Sequence, residues 1–186
     1  MRVVSLAFLL ILTTGSLLGQ TGANRGAVSQ TNETYELKNG KMDLTRRNYF
    51  EYDKKGNVTL EITFNDADTI KTKETYTYNK KGNETEHIVY DSANVLITKI
   101  TTTYDRFQSK QMVIVYNGTS IVEKTTFEYD AFGRKISELA VDAEGRQIKK
   151  YTYKYDIRGN LTERAFYDSN NTLISIKSYN YTYHNK

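Results

Sequence analysis

The sequence contains no cysteine, no proline and no tryptophan in 186 residues. Without cysteine there is no disulfide, no thiolate nucleophile and no thiolate metal site. Average usage of ~5% would place about nine prolines in a chain of this length. A sheet in which every strand donates to its neighbours excludes proline, which has no N–H. Histidine is nearly absent too: His87 and His184 are the only two, and both read as solvated side chains. Long hydrophobic runs are scarce. Hydrophobic content is 38% and mean hydropathy −0.64, which excludes a multi-span membrane protein. The one apolar run, Val3 to Leu12, follows Arg2 and precedes small and polar residues. Residues 1–20 therefore read as a secretory signal peptide, the run being too short for a ~20-residue span. The expectation is an exported bacterial protein, periplasmic or extracellular, with no membrane span after cleavage. Net charge is +4, with no long basic run, so nucleic acid is not the expected partner.

Tyrosine is abundant, with 16 copies, and it is periodic. Tyr52-Asp53-Lys-Lys-Gly56-Asn57 recurs as Tyr78-Asn79-Lys-Lys-Gly82-Asn83 and as Tyr104-Asp105-Arg-Phe-Gln108. It returns as Tyr129-Asp130-Ala-Phe-Gly133-Arg134 and as Tyr155-Asp156-Ile-Arg-Gly159-Asn160. The steps are 26, 26, 25 and 26 residues, and one more of 26 reaches Tyr181. A looser motif lies 12 residues after each of the first five tyrosines, at Phe64, Tyr90, Tyr116, Val141 and Tyr167. A fixed period of this length is the mark of a repeat architecture.

Phe127-Glu-Tyr-Asp-Ala-Phe-Gly-Arg134 and Tyr153-Lys-Tyr-Asp-Ile-Arg-Gly-Asn160 resemble the YD repeat of Rhs proteins, Tc toxin shells and teneurins. The resemblance covers roughly residues 35–182. In the large relatives such repeats form a spiralling sheet that encloses cargo. This chain has about six copies and no recognisable toxin or self-cleaving segment, so the cargo-shell role is not carried over. MORN-type hairpin repeats are the alternative, but their period is shorter and they lack the Tyr-Asp pair.

Physically, each motif is a turn. Asp53, Asp130 and Asp156 can accept backbone amides in Asx turns. Gly56, Gly82, Gly133, Gly145 and Gly159 can take the positive φ that completes a type I turn with a G1 bulge. Gln108 replaces glycine in this series, which predicts local strain or distortion. Between turns, alternating segments rich in Thr, Tyr, Ile and Val read as strands. The predicted fold is all-β: a curved antiparallel meander sheet of about twelve strands built from 26-residue β-hairpin repeats. Its turns lie near residues 39, 54, 66, 80, 92, 106, 118, 131, 143, 157 and 169. A polar segment, residues 21–34, precedes the repeat domain, residues 35–186.

Simple pairing across a three-residue loop puts Tyr52 opposite Val58 and Phe50 opposite Leu60. Continued, it gathers 16 of the 23 Phe and Tyr residues on one face. Tyr52, Tyr76, Tyr78, Tyr104, Tyr129, Tyr153, Tyr155, Tyr179 and Tyr181 make that face the candidate core or binding surface. Glu84, Glu86 and Glu163 fall there as rim carboxylates. The other face reads as polar, with Thr59, Thr75, Thr77, Thr101, Thr103, Thr126 and Thr152, His87 beside Lys99, and charge pairs Glu61–Lys73 and Glu138–Lys150. One apolar stripe crosses it: Val89 with Ile97, Val115 with Val122, Ala140 with Ile148, and Phe166 with Ile174. That stripe is a candidate interface. Neither catalytic residues nor a cofactor or metal site emerges from these patterns. The expected function is non-enzymatic binding of a glycan or protein partner by a curved aromatic sheet. The alternative is an envelope or shell component that self-associates through sheet edges; a carbohydrate-active enzyme is the third.

Overall fold

The computed structural model describes residues 26–184; the signal peptide assigned to residues 1–20 lies outside them. Twelve strands follow one another: β1 (Ser29–Lys38), β2 (Lys41–Tyr52), β3 (Val58–Phe64), β4 (Ile70–Tyr78), β5 (Glu84–Asp91), β6 (Leu96–Tyr104), β7 (Lys110–Asn117), β8 (Ser120–Tyr129), β9 (Lys135–Val141), β10 (Gln147–Tyr155), β11 (Leu161–Tyr167) and β12 (Leu173–Ser178). All pair antiparallel in sequence order in one sheet, and β1 does not meet β12, so the sheet is an open meander. Strand β1 takes in residues 29–34, and Tyr179 and Tyr181 follow the last strand.

The turns are local chemistry repeated. In nine of them a residue of Asx type opens the loop, and its Oδ1 accepts the amides two and four residues on. In the Asp130 turn these are Phe132 N and Arg134 N, each 2.9 Å away, while Gly133 N donates to Asp130 O at 3.0 Å. The loop glycines take the positive φ expected of them, 85° at Gly56, 88° at Gly82, 77° at Gly133, 82° at Gly145 and 87° at Gly159. Asp68, Asn94 and Asn171 hold the same place at 61°, 60° and 57°, as short polar side chains tolerate. Gln108 also adopts it, at 68°, and its hairpin keeps the shape of the others, so strain is the outcome and not distortion. Its Oε1 accepts from Asn79 Nδ2 at 3.2 Å and Asn83 Nδ2 at 3.0 Å, which ties the strained residue to the preceding turn. Gly118, at φ 56°, opens the two-residue loop that joins Asn117 to Ser120.

Beyond the first pair, the register departs from simple pairing. Tyr52 is opposite Val58, but Glu51 is opposite Leu60 and Phe50 opposite Glu61, so Thr59 is an extra residue. The same one-residue bulge follows the turn in every later hairpin, leaving Lys71, Thr85, Ile97, Gln111, Val122, Ile136, Ile148, Thr162 and Ile174 unpaired. One inserted residue inverts the alternation of everything beyond it. The single aromatic face therefore divides. Phe50, Tyr52, Tyr76 and Tyr78 stay on one face, here called the front, while Leu60, Ile62 and Phe64 move to the back. Glu61 moves to the front and faces Glu74, not Lys73; Glu138 faces Tyr151, not Lys150.

The bulges also slide the strands. Phe50 aligns through Glu61 with Glu74, Tyr76 through His87 with Ile100, and Phe127 through Glu138 with Tyr151. A position two before one repeat tyrosine thus aligns with the position four before the next. Two residues of ~3.4 Å along for two spacings of ~4.8 Å across is a slant of roughly 35°. Such a slant matches strands of closed barrels, although this sheet stays open.

No second layer covers either face among the described residues, and the aromatics do not form a core. Among the described residues only Phe50, Ala140, Ala165, Thr102 and Thr125 are buried, and none of their large side chains is fully so. Stability must come from the hydrogen-bonded ladder and from cross-strand pairs, each worth roughly 0.2–1 kcal/mol.

Candidate binding faces

On the front, the repeat tyrosines form a stitched series. Tyr78 donates its hydroxyl proton to Val58 O at 2.8 Å, Tyr104 to Glu84 O at 2.7 Å and Tyr129 to Lys110 O at 2.8 Å. Tyr155 donates to Lys135 O at 2.8 Å and Tyr181 to Leu161 O at 2.9 Å. Each acceptor is the residue paired with the preceding repeat tyrosine: Val58 with Tyr52, Glu84 with Tyr78, Lys110 with Tyr104, Lys135 with Tyr129 and Leu161 with Tyr155. Burial, then the Glu84 carboxylate, pushes the Tyr78 phenol up to about 12, so its proton stays available to donate. Tyr52, at the start of the series, donates to Gln30 Oε1 at 2.9 Å.

Two clusters break the regularity of this face. Near its N-terminal end Glu61 and Glu74 stand directly opposite one another. Asn48 Nδ2 donates to Glu61 Oε1 at 2.9 Å, and the Tyr76 hydroxyl lies 3.0 Å from Glu74 Oε2. His87 Nε2 is 2.7 Å from that same oxygen, and its ring stacks on Tyr76 at 4.5 Å between centroids. The two carboxyls are driven apart. Burial raises Glu61, with the Glu74 charge adding to it, whereas the hydrogen bond from His87 lowers Glu74. Placing His87 beside Lys99 on a polar face is thus corrected: it pairs with Tyr76 and Ile100 on the front. Further along, Lys135 lies 4.6 Å from the Tyr153 ring centroid and 2.8 Å from Glu138 Oε2. Arg164 sits 4.3 Å over Tyr151, which stacks on Phe166.

Of the rim carboxylates, Glu84 is on the front beside Tyr78. Glu86 and Glu163 fall on the back and pair with Lys99 at 2.5 Å and Lys154 at 2.9 Å. The apolar stripe also rearranges. Val89, Val115, Ala140 and Phe166 lie on the front, opposite Thr98, Glu123, Lys149 and Ser175. Their intended partners Ile97, Val122, Ile148 and Ile174 are the bulge residues.

The back is more uniform. Its rows read Tyr49–Ile62–Lys73, Thr75–Ile88–Lys99, Thr101–Ile114–Lys124 and Thr126–Leu139–Lys150. With Arg47 these lysines make five cations, and each faces the second-motif residue of its repeat. Arg47 faces Phe64, Lys73 faces Tyr90, Lys99 faces Tyr116, Lys124 faces Val141 and Lys150 faces Tyr167. The sequence holds the signal: every cation lies five residues before a repeat tyrosine. The simple register hid it by pairing two of these lysines with glutamates.

No protein-family model matches the chain, and no curated protein matches it. Among solved structures, it is similar to a porin-like protein from Bacteroides uniformis ATCC 8492, at 10% identity and TM-score 0.47, over 76% of this chain and 78% of that one. It is also similar to the TcdB2-TccC3-Cdc42 structure, at 13% identity and TM-score 0.29, over 76% of this chain but only 11% of that one. A protein of unknown function from Bacteroides fragilis NCTC 9343 aligns at 16% identity and TM-score 0.24, over 85% of this chain and 96% of that one.

Proposed function

We propose that the chain is a non-enzymatic, exported repeat module, a short relative of the YD-repeat proteins, that presents its sheet to a glycan or protein partner. The observation that carries this reading is the single layer: ring-bearing side chains stand half-exposed on both faces of an open sheet. Their placement is rigid, because the front tyrosines are tied by their hydroxyls to backbone carbonyls. Fixed, partly exposed rings suit stacking against sugars, and repeat sheets offer long contact surfaces. Glu61 and Glu74 stand on an open face reached by water, a setting that favours a structural role over glycoside hydrolysis. The test is a glycan array with the mature chain, followed by capture from the exported proteins of the source cells. Saturable binding to a defined glycan or protein supports the reading; a blank in both removes it.

A second reading, assembly through sheet edges, is favoured by one observation. Every residue of β12 is exposed, including Leu173, Ile174 and Ile176, and no strand pairs with its outer edge among the described residues. An open edge is a pairing site. Concentration-dependent mass without ligand, abolished by Ile176→Lys, supports this reading; a concentration-independent monomer sinks it.

A further inference from the structure

We propose that the back of the sheet binds a linear acidic polysaccharide laid across the strands, its anionic sugars meeting the row Arg47, Lys73, Lys99, Lys124 and Lys150. This rests on the glycan form of the functional reading and names the ligand class and the face.

Three observations converge on it. First, the two faces differ in regularity. Along the front the repeat tyrosines recur, but their hydroxyls are already bonded, and the places nine residues after them change chemistry from repeat to repeat, as in Glu61, His87, Val113, Glu138 and Arg164. Along the back, the cation recurs in five successive repeats, and an aliphatic residue precedes the last four of them in its row. A surface that repeats its chemistry fits a ligand that repeats its own. Second, three of the five cations have no carboxylate partner among the described residues: Arg47 pairs with Asp68 and Lys99 with Glu86, but Lys73, Lys124 and Lys150 form no ion pair there. Third, the charge is sparse. Two strand spacings across and two residues along separate successive cations by about 12 Å. Nucleic acid carries a charge every ~3.4 Å on each strand, far denser than this row. A polysaccharide charged on alternate sugars is sparse as well. It also supplies uncharged ring faces for Tyr90, Tyr116 and Tyr167, which stand opposite Lys73, Lys99 and Lys150.

The probe is a set of hyaluronan oligosaccharides, which carry a carboxylate on alternate sugars. Chitin oligosaccharides are the neutral control and single-stranded DNA the dense polyanion. Titration calorimetry is run on the mature chain and on two triple variants of equal charge. One is Lys73→Gln, Lys124→Gln and Lys150→Gln on the back; the other is Lys54→Gln, Lys80→Gln and Arg106→Gln in exposed turns. Circular dichroism and thermal midpoints check that both variants fold. The expected result is hyaluronan binding that weakens with salt, falls at least ~10-fold in the back variant and changes less than ~2-fold in the turn variant. Equal losses in the two variants, or DNA binding as tight as hyaluronan, would overturn the proposal in favour of unspecific charge attraction. Chitin binding without hyaluronan binding overturns the acidic class and leaves the glycan reading intact. Binding to neither probe, together with a blank glycan array, removes both.

Discussion

The Tyr129 hydroxyl donates to the Lys110 carbonyl 2.8 Å away, and Lys110 is the residue paired with the preceding repeat tyrosine, Tyr104. The bond reaches from one repeat into the one before it, and a phenyl ring cannot make it. Tyr129→Phe should therefore lower stability by roughly 0.5–1.5 kcal/mol, the usual net contribution of one hydrogen bond. Urea unfolding measures it. An unchanged midpoint would show that the hydroxyl only decorates a ring held by packing.

At Gly133 the constraint is backbone and not space. A Cβ built there meets nothing within 4 Å, but φ is 77°. Asparagine occupies the same place in the turns of Asn94 and Asn171. Gly133→Asn should thus cost about 1 kcal/mol or less, and Gly133→Val clearly more, since a β-branched residue resists positive φ. Thermal midpoints of the two variants give the order; equal midpoints would contradict it.

Glu61 faces a like charge, and burial raises its carboxyl. A raised acid binds protons more tightly when folded, so its contribution to stability falls as pH rises through its folded value. Glu61→Gln keeps an acceptor for Asn48 and removes the repulsion. It should stabilise the protein at neutral pH by roughly 0.2–1 kcal/mol. That advantage should vanish in acid, where the wild-type carboxyl is itself protonated. Denaturation curves at both ends of this range decide it.

Asp156 behaves in the opposite sense. The Tyr183 hydroxyl bond, with desolvation opposing it, and the amides of Asn160 and Arg158 lower its carboxyl to about 2. Its contribution is present at neutral pH and is lost as pH falls from 3.8 towards 2. Tyr183→Phe should move the Asp156 titration upward in an NMR pH series. A titration that stays in place would remove Tyr183 as the cause.

Much of the architecture was legible in the repeat. Asx and glycine residues announce their turns directly, because only a few side chains accept those backbone angles, and counting turns yields the strands. The bulges were not legible. Thr59, Ile97 and Val122 are ordinary strand residues, and nothing in their chemistry separates an extra residue from a paired one. That silence carried forward: a single missed residue sent Leu60 and Ile62 to the wrong face and concealed both the Glu61–Glu74 pair and the row of back cations. The hydroxyl series was half legible. The tyrosines were visible, but their acceptors are backbone carbonyls, which no sequence distinguishes.

Because each repeat tyrosine is fastened to the hairpin before it, and strands pair only with their sequence neighbours, the chain resembles a zipper more than a globule. Its cohesion accrues link by link. Excising one whole unit, residues 79–104, would leave Asp105 following Tyr78, just as Asn79 does now, with every remaining turn and bulge in phase. Removing half a unit would mismatch the tyrosines with their carbonyls. Copy number is thus a free variable in this architecture, and evolution can lengthen or shorten the array in steps of one repeat without redesigning its interior.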